Sequence, residues 1–124
     1  MIRIDYEKLF DELMSVVPVE WDKIVLYVEY TAASYSFKYF VKTENKYIDC
    51  FNLKGVSEDL LIEKFMKFDE IIRPSRVGLS GKNKWSVMTI IFQNDGNFNT
   101  EFDYTDISEN SVEYFQKWKE KYLK

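Results

Sequence analysis

Apolar side chains recur along this chain with two different periods. From residue 6 to residue 17, Tyr6, Leu9, Phe10, Leu13 and Val17 return at helical spacing behind Asp5, whose carboxylate suits an N-cap. Pro18 is expected to stop that helix, because it lacks an N–H and disfavours the α conformation at Val17. The period then changes. Residues 21–31, WDKIVLYVEYT, are β-branched and aromatic with little polar interruption, the pattern of a strand near the middle of a sheet. Residues 34–42, SYSFKYFVK, set Tyr35, Phe37, Tyr39 and Val41 against Ser36, Lys38, Phe40 and Lys42. A third strand, 46–53, KYIDCFNL, follows the turn-like Thr43-Glu44-Asn45, so the three form a meander.

Helical spacing returns after Gly55. Ser57 is the predicted cap, Glu58 and Asp59 sit in the first turn, and Leu61, Phe65, Phe68 and Ile72 line one face. Pro74 is predicted to end this helix. Residues 73–84, RPSRVGLSGKNK, hold two glycines, four basic residues and no acid, and read as an exposed loop. Residues 85–93, WSVMTIIFQ, are apolar on both faces and predict another central strand. Asn94-Asp95-Gly96 supplies hairpin turn chemistry, and 97–104 is the return strand. A last helix starts at Ser108 or Ser111, with Val112, Phe115, Trp118 and Tyr122 on one stripe. The order α-β-β-β-α-β-β-α, with strands in consecutive runs, predicts an α+β fold. A mainly antiparallel sheet of about five strands would carry the helices packed on it, in one domain over residues 1–124.

Composition narrows the chemistry. With 46% hydrophobic and 18% aromatic residues, the chain can bury a core without metal or crosslinks. It has no histidine, which removes the commonest general acid–base, the commonest metal ligand and the usual partner of a Ser or Cys nucleophile. Cys50 is the only cysteine, so neither an intrachain disulfide nor a cysteine-based metal site can form, and its place in a strand reads as a small buried hydrophobe. A net charge of −4 argues against nucleic acid as ligand. The opening MIRIDYEKLF lacks the basic start and apolar run of a secretory signal, and no apolar run is long enough to span a bilayer. A soluble, cytoplasmic protein without membrane contacts or a cofactor is expected.

Acidic side chains are unevenly spread. Asp95, Glu101, Asp103, Asp106, Glu109 and Glu113 fall between residues 95 and 113, where no Lys or Arg occurs. On the return strand Phe98, Thr100, Phe102 and Tyr104 point one way, and Asn99, Glu101 and Asp103 the other. Catalysis by Glu101 and Asp103 as paired carboxylates would need a deep substrate cleft, hard to build in 124 residues. The segment does not match a calcium loop, and strand alternation spreads its carboxylates apart. Gly78 to Lys84 contains Gly-x-x-Gly-Lys without the rest of a phosphate loop. Two readings stay open: a surface that attracts a basic partner, or the wet outer face of an antiparallel strand.

Three stretches, VPVEWDKI (17–24), DGNFNTEFDY (95–104) and WKEKYL (118–123), together resemble the signature segments of the YezG-like family of immunity proteins. The likeness extends over nearly the whole chain, with TAAS (31–34) standing where a more Gly- or Asp-rich turn would be expected. It implies a cytoplasmic antitoxin, encoded beside a secreted or contact-delivered bacterial toxin, in many cases a nuclease. It also implies core roles for the motif aromatics: Trp21 would plug the first helix onto the sheet, and Phe102 and Tyr104 the last. The expected function is a non-enzymatic immunity protein that masks the basic active-site surface of a toxin's C-terminal domain. Asp95, Glu101, Asp103, Asp106 and Glu109 would form the binding patch, with Glu20, Asp22 and Glu29 extending it. Arg73, Arg76, Lys82 and Lys84 are a second candidate surface, for acidic parts of the toxin. The alternative is a general protein-interaction module with no toxin partner, and a small enzyme or metal-dependent hydrolase is a third class.

Overall fold

The computed structural model describes residues 3–31 and 34–124. Its element order is α1 (Tyr6–Met14), β1 (Lys23–Tyr30), β2 (Tyr35–Thr43), β3 (Lys46–Asp49), α2 (Glu58–Val77), β4 (Val87–Gln93), β5 (Phe98–Asp103) and α3 (Ser111–Tyr122). The strands form one antiparallel sheet in the order β3-β2-β1-β4-β5. The α+β expectation holds, and the two most apolar strands, β1 and β4, lie side by side inside the sheet. Ala32 and Ala33, in the TAAS turn, lie outside the described residues.

Local chemistry explains most boundaries. Asp5 caps α1 by accepting from the Lys8 N–H, and Ser57 caps α2 by accepting from Leu60, each satisfying an otherwise orphan amide. The β2–β3 hairpin closes through Glu44 and Asn45, both at positive φ (51° and 63°), the geometry of a tight two-residue turn matched to strand twist. The third strand is shorter than expected. Asp49 accepts from the Phe51 N–H and bends the chain into a 3₁₀ turn over Cys50–Asn52.

Alternation divides the core in two. One face of the sheet carries Ile24, Leu26, Val28, Phe37, Tyr39, Val41, Met88, Ile90 and Phe92 against α1 and α2. Trp21 packs there edge-on to Phe10, as the resemblance implied. The Tyr39 hydroxyl donates to the Val16 carbonyl at 2.7 Å, anchoring the segment after α1 to the sheet. The other face offers Val25, Tyr27, Phe40 and Val87 to α3. Trp118 lies across them, its indole N–H donating to Thr89 Oγ1 at 2.9 Å.

Two expectations about helices fail. Pro74 does not end α2, which runs on to Val77. Glu70, whose carbonyl loses its partner to the proline ring, and Pro74 are both exposed, so water can serve that carbonyl. The last turn is held from outside the helix: Arg76 Nε donates to the Trp85 carbonyl at 2.7 Å, and its guanidinium lies over the rings of Tyr30 and Trp85. Residues 73–84 are therefore a helix end and a short 3₁₀ turn rather than one exposed loop. In α3, Val112 is 76% exposed, and Tyr114 packs inward with Phe115, Trp118 and Tyr122. Asn110 precedes the helix, with Ser111 its first residue. Among the described residues no helix is long and apolar enough to cross a membrane.

Candidate functional site

The β4–β5 hairpin forms because Asn94-Asp95-Gly96 permits a tight loop. Gly96 sits at φ 95°, Gln93 N–H donates to the Asn97 carbonyl, and the Asp95 carboxylate accepts from the Asn97 backbone and side-chain amides. The return strand then alternates as expected. Phe98 packs at a tilt against Tyr6 and Phe92, Thr100 Oγ1 donates to the Tyr6 hydroxyl, and Phe102 meets Trp85. That is the α1–α2 side. Phe102 and Tyr104 therefore do not seat α3, contrary to the resemblance-based expectation. They are 42% and 55% exposed, because β5 is the outermost strand and α1 reaches its aromatic side only through Tyr6, at Phe98 and Thr100.

Glu101 and Asp103 face α3, where tyrosines meet them. Tyr122 donates to Glu101 at 3.1 Å and Tyr114 to Asp103 at 2.7 Å. Burial pushes the Asp103 pKa up, but hydrogen bonds from Tyr114 and from Thr105 outweigh it, leaving the carboxyl below its ordinary range. Burial, reinforced by those carboxylates, raises the pKa of Tyr114 and of Tyr122. Asp106 accepts from the Ser108 hydroxyl and N–H, which lower its pKa. Glu29 accepts from Tyr27 at 2.6 Å. In register, Glu29, Val87 and Asp103 lie in one transverse row, placing the two carboxylates about 10 Å apart at the backbone.

The eight predicted acids do not form one cluster. Glu20 and Asp22 are exposed near Thr43, Glu44 and Asn94, at the sheet end that also carries Asp95. Glu29, Asp103 and Asp106 lie at the other end of β5, which is roughly 17 Å long, with Glu101 between. Glu109 is exposed before α3. Glu44 joins the first group and was missed, since its turn position gave no sign of where the turn would lie. Among the described residues none of the eight pairs with a Lys or Arg. Glu113, the remaining acid of the segment, does pair, with Lys117.

The basic candidates serve different ends. Arg73 pairs with Asp69 at 3.0 Å and lies over Tyr30 and Tyr35. Arg76 is locked to Trp85 as described, and burial lowers its pKa. Lys82 and Lys84 are exposed. A cleft of about 900 Å³ runs between this segment and residues 104–108, with Arg73, Arg76 and Lys84 on one wall and Asp106 on the other. Cys50 is fully buried and burial pushes its thiol up to about 12, so it behaves as a hydrophobe. No three Asp, Glu or Cys among the described residues stand close enough to hold a metal ion.

Known proteins resemble this chain along most of its length. Two relatives are the Immunity protein YezG of Bacillus spizizenii, 21% identical over 82% of this chain and 68% of its own, and that of Bacillus subtilis, 25% identical over 90% and 79%. The description "Immunity protein YezG-like" matches residues 2–124. By that match the chain belongs to the YezG-like family of immunity proteins.

Proposed function

We propose that this chain neutralises a nuclease toxin domain by covering its phosphate-gripping surface with carboxylates. A nuclease must present Lys and Arg to its substrate. The chain answers with Asp95, Glu101, Asp103, Asp106 and Glu109, extended by Glu20 and Asp22 at one end of the sheet and Glu29 at the other. One observation carries the reading. Where these acids are held by other side chains, the donors are neutral, namely Tyr27, Tyr114 and Tyr122, Ser108 and Asn97. A neutral donor orients a carboxylate and leaves its charge available, whereas a lysine would cancel it. The protein does no chemistry of its own in this reading, and meets the toxin in the cytoplasm.

The toxin domain encoded beside this chain is the reagent for the test. Equimolar addition should abolish its nuclease activity. Asp95→Lys with Glu101→Lys, both at exposed positions, should slow association by about tenfold or more and flatten its salt dependence. Unchanged protection with unchanged salt dependence would place the contact elsewhere.

A further inference from the structure

The two edges of the sheet are built differently. β3 is four residues long, starts at exposed Lys46 and bends away into a 3₁₀ turn, which are common ways to close an edge to further pairing. β5 is six residues long and contains neither Lys nor Pro. Its backbone polarity can be read from the register. Gln93 donates to Asn97, so alternation makes 91/99, 89/101 and 87/103 the hydrogen-bonded pairs with β4. The N–H and C=O groups of Phe98, Thr100 and Phe102 therefore point outward, away from the sheet.

Beside that edge lies a groove of about 700 Å³, lined by Ile4, Tyr6, Leu79, Trp85, Phe102 and Tyr104 among others. It sits on the aromatic side of β5, and the carboxylates of Glu101 and Asp103 lie on the opposite side. We propose that β5 accepts an extended segment of the toxin as a sixth strand, with basic side chains alternating with apolar ones. Backbone pairing would supply the outward amides with partners. Alternate side chains of the incoming strand would then fall beside Glu101 and Asp103 on one face and into the groove on the other. A second copy of this chain fits poorly, because edge-to-edge pairing would gather like charges from both copies on one face. The inference rests on the toxin-masking reading and specifies the contact within it.

The probe is a short synthetic peptide alternating lysine with valine and tyrosine, compared with a counterpart in which glutamate replaces lysine. Binding should slow hydrogen exchange at Phe98, Thr100 and Phe102, leaving Asn99 and Glu101, already bonded to β4, little changed. Thr100→Pro removes an amide that the fold itself does not use and should weaken peptide binding by about tenfold or more. Thr100→Val should retain it, and thermal melts of both variants report folding. Failure of the lysine peptide to bind, equal binding of the glutamate peptide, protection elsewhere, or a dimer of this chain joined through β5 would each overturn the proposal, and need no Thr100→Pro protein. With the toxin itself, full neutralisation by folded Thr100→Pro alongside loss in the charge-reversed variant would remove the added strand and keep the acidic surface.

Discussion

The two faces of the sheet solve the same problem with different materials. Toward α1 and α2, twenty described buried residues form one cluster, chiefly aliphatic and aromatic. Toward α3 the described buried cluster has six, among them Tyr27 bonded to Glu29, and its border includes Tyr114 and Tyr122, bonded to Asp103 and Glu101. The first face is stabilised mainly by buried area, with the Tyr30 and Tyr39 hydroxyls satisfied by Asp69 and the Val16 carbonyl. The smaller second cluster depends more on satisfying polar groups as it closes, through specific pairs. The larger buried cluster and the carboxylates of Glu29, Glu101 and Asp103 thereby lie on opposite sides of the shared sheet.

The largest test of that contrast is Phe68→Ala. Phe68 is fully buried in the larger cluster, and its truncation should cost about 3–5 kcal/mol, measured by denaturant unfolding and nearly independent of pH. A loss under about 1 kcal/mol would mean the larger face is not where the fold is held. Thr89→Val keeps the shape on the α3 side but leaves the Trp118 N–H without its acceptor. The expected loss is about 1–3 kcal/mol, and an unchanged melting temperature would show that water replaces the threonine.

Tyr114→Phe should have the smallest effect, about 1 kcal/mol at neutral pH, and the effect should depend on acid. Asp103 has a lowered pKa in the folded protein. Its contribution is therefore complete above its unfolded value, near 3.8, and lost as pH falls through the folded one. The difference between wild type and Tyr114→Phe should shrink over that range in urea melts followed by circular dichroism. A gap constant with pH would detach Tyr114 from Asp103.

Much of this was legible in the sequence because it is local. The strand periods, the Asp5 and Ser57 caps and the Asn94-Asp95-Gly96 turn act within a few residues, and each appears where expected apart from the early end of β3 at Asp49. Pro74 misled because the force that carries α2 past it comes from Trp85, across the α2–β4 connection. Val112 and Tyr114 exchanged roles for a similar reason: helical spacing fixes a stripe's width, but the sheet decides which stripe is covered. The alternation of β5 was readable, and so was the shared direction of Glu101 and Asp103. Which helix covers which side is not readable there, and Phe102 and Tyr104 stand half-exposed on the side away from α3. The acids themselves were visible in the sequence. Their split between two ends of the sheet follows from strand order, and their tyrosine partners lie 11 and 21 residues away along the chain.

Cys50 gives the molecule a built-in reporter. As the sole thiol, enclosed where β3 turns toward α2, it can meet a bulky labelling reagent only when that corner swings open. The labelling rate thus clocks the opening of the region next to the shorter edge. Occupancy of β5, at the far margin, should leave that clock running unchanged unless the whole sheet tightens.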